Sequence, residues 1–244
     1  MGARCVEIHP STRQGWSNEL TTITHSFDLE ARHMVEEQLR RRGIHDERVL
    51  EAMRVIPRHK FVPTESVGAA YEDRPLPIGT HETISQPYIV ALMTEAARAA
   101  PGEHALEIGG GCGYQAAILA HLGATVCAVE RNTQLAEESR ERLERLGYGN
   151  IEVFDGDGSD GLAERAPYNV IIVSAATPSI SPVMLSQLAE GGRLVAPVGS
   201  LRQQELLLVC RQGERITTRS LGACQFVPLI GKGGWKQEEV GPKN

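Results

Sequence analysis

The stretch LEIGGGCGYQAAILA, residues Leu106–Ala120, decides the fold of this 244-residue chain. An apolar run enters a turn that carries Gly109, Gly111 and Gly113, and an apolar run of helical character follows. Glycine suits this turn because the backbone bends sharply there and no Cβ hinders the approach of a ligand. The stretch therefore predicts a strand, a ligand-binding turn and a helix in succession.

Short apolar strands alternate with other segments throughout the region after residue 102. The predicted strands are HALEI, ATVCAVE, IEVFDG, YNVIIVSA and GRLVAPV, and the intervening helices or turns begin near Cys112, Asn132, Ser159 and Ser181. Such alternation predicts parallel strands joined by right-handed crossovers, that is, a doubly wound α/β sheet. Two further runs, ELLLVCRQ and ITTRSLGACQFVPLI, are separated by a short turn with Gly213, which predicts an antiparallel hairpin at the C-terminal end.

The region before residue 101 is predicted to contain two helices that cap the sheet. The runs DLEARHMVEEQLRRRGI and DERVLEAMRVI carry apolar residues at helical spacing, and Gly43 and Pro57 act as stops. Residues 1–27 lack a sustained period and are expected to form a loosely ordered extension. Because the length suits one large domain, we predict a single domain over residues 28–244, with the cap in 28–100 and the core in 101–244.

Composition narrows the class of protein and of partner. Hydrophobic residues at 41% and charged residues at 23% indicate an ordinary globular chain, and a net charge of -6 gives no basic field for nucleic acid. The five cysteines and eight histidines show neither a Cys-x-x-Cys nor a His-Glu-x-x-His pattern, so no metal site is expected. No apolar run approaches the ~20 residues that span a bilayer. We expect a cytoplasmic protein that binds neither nucleic acid nor membrane.

Acidic residues near the glycine turn indicate which cofactor it binds. The third glycine of a dinucleotide site would fall on Tyr114, which disfavours NAD. Glu107, just before the turn, would repel a phosphate but suits an amine, and Glu130 ends the next strand, where a carboxylate can accept hydrogen bonds from ribose hydroxyls. S-adenosylmethionine, which has an amine and a ribose but no phosphate, fits both. A glycine turn that only packs a helix on the sheet is the alternative.

The run Thr83–Pro87, TISQP, fits neither a clean helix nor a clean strand. Ser85 precedes Pro87 and the apolar run PYIVALMTEAARAA, so Ser85 could simply cap a helix. It could also take part in chemistry, because an anion is favoured at a helix N-terminus. Local sequence leaves both roles open.

Six blocks along the chain resemble one known family. They are TISQPYIVALMTE, LEIGGGCGYQAAILA, GDGSDG, APYNVIIVSAATPSI, LAEGGRLVAPVG and FVPLIGKGGW. In this order they are similar to the bacterial protein-L-isoaspartate O-methyltransferase family, from about Met34 to Trp235. One departure is Cys112, where the family usually has Ser.

The resemblance implies a Rossmann-like methyltransferase fold and a specific reaction. S-adenosylmethionine would be converted to S-adenosylhomocysteine as the free carboxylate of an L-isoaspartyl residue is methylated, and the ester would collapse to a succinimide that reopens partly to aspartate. The implied partners are isoaspartyl peptides and proteins, and we expect a monomer. Because a carboxylate is already ionised at neutral pH, no strong general base is needed.

The resemblance also implies roles for individual residues. Ser85 is the implied catalytic residue, whose hydroxyl would orient the substrate carboxylate. The residues assigned to the cofactor are Thr83, Ile84, Glu107, Gly109, Gly111, Gly113, Glu130, Arg131, Gly156 and Asp157. The residues assigned to the substrate are Ser85, Gln86, Ala175, Ala176 and Val227. Two alternatives remain at this stage: a carboxylate methyltransferase dedicated to one peptide, and a non-catalytic adaptor that binds the cofactor and damaged proteins.

Overall fold

A computed structural model of the chain describes residues 26–79 and 82–241. The predicted loosely ordered extension lies outside the described residues up to residue 25, whereas residues 26 and 27 are helical. Phe27 stacks on the ring of His59 with the centroids 4.0 Å apart. The predicted extension therefore includes two residues that belong to the first helix.

The cap consists of three helices and a small hairpin. Helix α1 covers residues 26–42, with a π-helical part at Met34–Leu39 and a 3-10 turn at Arg40–Arg42, and ends at Gly43. Helix α2, Glu47–Val55, begins at Asp46, whose side chain accepts a hydrogen bond from the backbone N–H of Arg48 at 2.9 Å. Two 3-10 turns follow at Arg58–Lys60 and Thr64–Ala69. Strands β1, Leu76–Gly79, and β2, Glu82–Ile84, pair antiparallel, and helix α3 spans Pro87–Ala97.

The core alternates strands and helices around one seven-stranded sheet. Its first five strands are β3 (His104–Ile108), β4 (Thr125–Glu130), β5 (Ile151–Asp155), β6 (Tyr168–Val173) and β7 (Leu188–Gly199). The intervening helices are α4 (Tyr114–His121), α5 (Thr133–Arg145) and α6 (Pro182–Ser186). The chain then forms β8 (Gln204–Gln212), β9 (Arg215–Cys224) and the short helix α7 (Gln237–Val240).

The strand order is β5-β4-β3-β6-β7-β8-β9. Neighbours from β5 to β7 pair parallel, while β8 is antiparallel to both β7 and β9. The direction of the order reverses between β3 and β6, and ligands of open α/β sheets bind at such a point beyond the carboxyl ends of the strands. The predicted doubly wound sheet with an antiparallel C-terminal end is confirmed.

The connection predicted to begin near Ser159 as a helix or a turn is a turn, followed by the short 3-10 segment Ala163–Arg165. One sequence expectation differs from the structure: the predicted last strand is too long, because β9 ends at Cys224. The side-chain amide of Gln204 exchanges two hydrogen bonds with the backbone of Phe226, at 2.7 and 3.2 Å, so these backbone groups bond a side chain instead of a neighbouring strand.

Buried side chains form a cluster on each face of the sheet. The larger cluster includes the buried faces of α1, α2 and α3, so the cap packs directly on α4 and the sheet. The guanidinium of Arg193 in β7 donates to both carboxylate oxygens of Glu103 at 2.8 Å and to the carbonyl of Ala97, which ties the end of α3 to the sheet. No helix among the described residues is long and apolar enough to cross a membrane.

Candidate functional site

The carboxyl ends of β3, β4 and β6 open onto a cavity of about 540 Å³, which we call the main cavity. It lies where the strand order reverses, so the topology places it where this class of sheet binds ligands. The predicted site residues that line it are Thr83, Gly109, Gly111, Glu130, Arg131, Gly156, Ala175 and Val227.

The glycine turn between β3 and α4 forms one wall of the main cavity. The backbone N–H groups of Gly109 and Gly110 both donate to the carbonyl of Val129, at 2.9 and 3.1 Å, which fixes the turn to β4. Gly113 does not line the cavity. A Cβ there would lie 2.6 Å from Oγ of Ser139, so this glycine allows α4 to pack against α5.

Glu130 holds the turn and faces the main cavity. Its Oε2 accepts the backbone N–H of Gly111 at 2.9 Å, and its Oε1 accepts the backbone N–H of Asn132 at 2.8 Å. A carboxylate oxygen has two lone pairs, so each oxygen can accept a further hydrogen bond from a ligand hydroxyl. Glu130 therefore connects the geometry of the glycine turn with the ligand side of the cavity.

Glu107 lies beneath the turn in β3 and is almost completely buried, with 1% of its surface exposed. Oγ of Ser174 donates to its Oε1 at 3.1 Å, but its Oε2 has no hydrogen-bond partner. Burial raises the pKa of Glu107 to about 8, the negative charge of Glu130 adds to this effect, and the hydrogen bond from Ser174 opposes it. An unpartnered buried carboxyl oxygen of this kind is suited to a cationic ligand group.

Glu107 lines a narrow space of about 40 Å³, the connecting pocket, together with Ile84 and Ser85. A third space of about 260 Å³, the side pocket, is also lined by Ser85. Thr83 and Ser174 line all three spaces. The main cavity and the side pocket therefore meet at the connecting pocket.

Ser85 lies between β2 and α3 and lines both the connecting pocket and the side pocket. The residue that precedes α3 is Gln86, and no side chain of the capping position bonds the helix. Asp73 instead accepts the backbone N–H of Tyr88 at 3.1 Å and also lies 3.4 Å from Nε2 of Gln86. Of the two roles left open for Ser85, capping of the helix is not the one seen here, because the backbone N–H of Tyr88 bonds a carboxylate that is distant in sequence.

Residues 225–235, the C-terminal segment, cross the open edge of the site. Val227 of this segment lines both the main cavity and the side pocket. The backbone of Ala176 pairs with the segment, with N–H to Val227 O at 2.8 Å and O to Leu229 N–H at 2.7 Å. Ala176 is buried and lines none of the three spaces, and its backbone holds the segment at Val227 and Leu229.

Asp157 also holds the C-terminal segment. Its Oδ2 accepts the backbone N–H of Lys232 at 2.8 Å, and its Oδ1 accepts that of Ser159 at 2.9 Å. Asp157 lines none of the three spaces, whereas the preceding Gly156 lines the main cavity. Among the described residues no group of three or more His, Cys, Asp or Glu side chains is arranged to hold a metal ion.

Sequence reasoning missed several residues of the site. The side pocket is also lined by Pro75, Ile89, Gln225 and Phe226, and Gln86 lines it as predicted. Ser174 is the most informative omission, because it contacts Glu107 and lines every space. Its signal in the sequence was a polar residue directly after the apolar run YNVIIV, at the carboxyl end of a predicted strand.

The sequence model of the family described as Protein-L-isoaspartate(D-aspartate) O-methyltransferase (PCMT) matches residues 30–234. The chain belongs to this family. It is 53% identical over 209 residues to a protein-L-isoaspartate O-methyltransferase of Koribacter versatilis, covering 86% of this chain and 94% of that protein. It is 54% identical over 213 residues to a protein of the same name from Methanoculleus marisnigri, covering 87% and 96%.

Solved structures of the protein-L-isoaspartate O-methyltransferase family share the fold. One superposes with a TM-score of 0.75 at 29% identity, covering 83% of this chain and 66% of that chain. Another, a beta-aspartate methyltransferase from Plasmodium falciparum in complex with S-adenosyl-L-homocysteine, has a TM-score of 0.72 at 25% identity, covering 82% and 98%. The resemblance predicted from the six blocks and the Rossmann-like methyltransferase fold are thereby confirmed.

Proposed function

We propose that this protein methylates the free carboxylate of L-isoaspartyl residues in damaged peptides and proteins, with S-adenosylmethionine as the methyl donor. The ester then collapses to a succinimide, which begins repair. One observation carries the proposal within this chain: Ser85 lies where a cavity at the switch point of the sheet meets a side pocket. Membership of the family and the names of its relatives support the same reaction.

The residues of the main cavity and of the connecting pocket fit S-adenosylmethionine. Its ammonium group suits the unpartnered Oε2 of Glu107 in the connecting pocket, and its ribose hydroxyls suit the oxygens of Glu130 that face the main cavity. Thr83, Ile84, Gly109, Gly111, Arg131 and Gly156 would form the remaining contacts, while Gly113 and Asp157 would act through the packing of α4 and the C-terminal segment. When bound, the cofactor supplies a methyl group on a sulfonium, which an ionised carboxylate accepts without a general base.

The side pocket would hold the isoaspartyl residue beside Ser85. The hydroxyl of Ser85 can donate a hydrogen bond to the substrate carboxylate. This bond would fix one lone pair of the carboxylate toward the methyl group without neutralising its charge. Gln86 and Val227 would form the surrounding walls, Ala175 would contact the substrate from the side of the main cavity, and Ala176 would hold Val227 in place. Ser85 is thus assigned the catalytic role of orienting the nucleophile.

We further propose that the protein acts as a monomer in the cytoplasm without nucleic acid or membrane partners, and that the single methyltransferase domain predicted over residues 28–244 also includes residues 26 and 27. The four cysteines among the described residues are free thiols, which suits a reducing compartment. Its partners would be isoaspartyl-containing peptides and proteins. Size-exclusion chromatography with light scattering would test the oligomeric state, since a dimer would give twice the molar mass of one chain.

The decisive experiment incubates the protein with labelled S-adenosylmethionine and two peptides that differ only in isoaspartate or aspartate. We expect base-labile label on the isoaspartyl peptide alone. Ser85→Ala should lower kcat by roughly 10- to 100-fold, the range for removal of one positioned donor, with little change in cofactor affinity. Ser186→Ala on the exposed surface of α6 is the matched control and should keep full activity.

Other outcomes of this experiment contradict the proposal. Cofactor binding without transfer to either peptide would indicate a non-catalytic adaptor. Transfer to one peptide sequence but not to isoaspartate in other sequences would indicate a dedicated peptide methyltransferase. A Ser85→Ala protein with full turnover and an earlier thermal transition would mean that Ser85 has a structural role only.

A further inference from the structure

Arg58 is a fully buried arginine directly behind the segment that carries Ser85. It lies in the 3-10 turn Arg58–Lys60 and has 0% of its surface exposed. Its Nε donates to the carbonyl of Ala70 at 2.8 Å, and its Nη2 donates to the carbonyl of Ser85 at 2.7 Å. Its Cζ lies 4.9 Å from the ring centroid of Tyr114, the first residue of α4 after the glycine turn. One side chain therefore contacts the Ser85 segment and the helix that leaves the glycine turn.

The hydrogen bond to the Ser85 carbonyl determines how Ser85 is oriented. The residue before it, Ile84, is fixed by its pairing with Leu76 in the β1–β2 hairpin. The residue after it, Gln86, is extended at φ -58° and ψ 146°, as expected before proline. The peptide plane between Ser85 and Gln86 is held by Nη2 of Arg58. With both adjoining planes fixed, the direction of the Ser85 Cα–Cβ bond is fixed as well.

The chain retains this guanidinium at an energetic cost. Arg58 forms no ion pair with a carboxylate among the described residues, and its Nη1 is buried without a hydrogen-bond partner. Burial lowers the pKa of Arg58, since a charge away from water is disfavoured. A cation placed in the interior without a counter-ion is unfavourable, and the hydrogen bonds that it forms offset part of this cost. The bonds that it does form are those to the two carbonyls.

The planar guanidinium matches this task better than any other side chain. Nε–H and one Nη2–H point from the same edge of the plane, so the two carbonyls are held in a fixed relation. A lysine ammonium has no such edge, has freely rotating donors and loses its proton more readily when buried. Replacement by lysine should therefore keep a donor near Ser85 but lose the fixed direction of its carbonyl.

We propose that Arg58 is a positioning residue for methyl transfer. Arg58 fixes the backbone of Ser85 and thereby directs the Ser85 hydroxyl toward the substrate carboxylate. This inference rests on the proposed function of Ser85. It assigns a role in turnover to a residue that lines none of the three spaces of the site. Because Arg58 acts through Ser85, its effect must disappear when the Ser85 hydroxyl is absent.

A double-mutant cycle tests this dependence with Arg58→Lys, Ser85→Ala and the combined variant. We expect Arg58→Lys to lower kcat for the isoaspartyl peptide by roughly 10- to 100-fold, the range for a misplaced reacting group. In the Ser85→Ala background the same change should lower kcat by less than about twofold, because coupled residues are not additive. Cofactor affinity by calorimetry should stay within about twofold of the parent in every variant. Arg54→Lys, a partly exposed arginine in α2 that pairs with Glu51, is the matched control.

Each result separates this inference from the proposed function. Equal losses from Arg58→Lys in both backgrounds would overturn the positioning role, even though wild-type activity on isoaspartate stands. An Arg58→Lys protein that fails to fold or loses the cofactor would overturn it too, since Arg58 would then support the structure as a whole. Wild-type protein that does not methylate the isoaspartyl peptide would instead refute the proposed function itself.

Discussion

Replacing Glu107 with glutamine should remove a pH-dependent loss of stability from the protein without cofactor. In the folded chain burial raises the pKa of Glu107 from 4.5 to about 8, so the folded state keeps a proton that the unfolded state releases. The contribution of Glu107 to stability is therefore greatest below pH 4.5 and falls as the pH rises, until the folded carboxyl also ionises near pH 8. At about 1.4 kcal/mol per pH unit, this interval corresponds to roughly 5 kcal/mol of unfolding free energy.

The assay is urea denaturation of wild-type protein and Glu107→Gln at pH 5.5 and pH 7.5. Glutamine has nearly the shape of the neutral acid and cannot ionise, so groups other than Glu107 contribute equally to both proteins. We expect the free energy of unfolding of the wild type, relative to the variant, to decrease by about 3 kcal/mol between the two pH values. Glu164→Gln, an exposed carboxyl on the surface turn before β6, should follow the wild type. Parallel curves for wild type and Glu107→Gln would refute the reasoning, because Glu107 would then be ionised in the folded state.

Two further substitutions test the glycine turn. Glu130→Ala should weaken cofactor binding by about 1.5 to 3 kcal/mol, because a ligand hydrogen bond to a charged group and the acceptor of the Gly111 N–H are both lost. If calorimetry shows an unchanged cofactor affinity, Glu130 does not belong to the site. Cys112→Ser should be nearly silent in steady-state kinetics, because the Cys112 contacts that hold the turn come from its backbone, whose carbonyl accepts from Arg142 at 3.0 Å. A tenfold loss of activity would instead assign a role to the buried thiol.

The parts of the structure that follow local rules could be predicted from the sequence. Strands β3 to β6 are short apolar runs bounded by glycine, proline or polar residues, and hydrophobic periodicity identifies such runs. In β7 it identifies only the later part, GRLVAPV, and not the four residues from Leu188 with which the strand begins. The glycine turn follows β3, Glu107 lies within β3 and Glu130 ends β4. Their place at the carboxyl edge of the sheet therefore followed from the predicted topology. The identity of the reaction came from the resemblance, since no local pattern specifies an isoaspartyl substrate.

The remaining features depend on contacts between residues that are far apart in the chain. Asp73 accepts the N–H of Tyr88 at the start of α3, fifteen positions later, and this contact displaced Ser85 from the capping role. Gln204 turns the chain at Phe226, twenty-two positions later, and thereby shortens β9. Neither partner is recognisable from its own neighbours, because a side-chain amide or carboxylate can bond any free backbone group within reach.

The side pocket differs from the main cavity in charge, and the chemistry of the proposed reaction accounts for the difference. The described residues that line the side pocket include no ionisable side chain, whereas Glu130 and Arg131 line the main cavity. Methyl transfer from a sulfonium to a carboxylate cancels a positive and a negative charge, so it is favoured where water and fixed charges do not stabilise the separated ions. A cationic side chain in the side pocket would bind the carboxylate, but it would also stabilise the negative charge and make the carboxylate a weaker nucleophile. In the proposed reaction the neutral donor of Ser85, whose backbone carbonyl is bonded by the guanidinium of Arg58, would orient the carboxylate and leave it reactive.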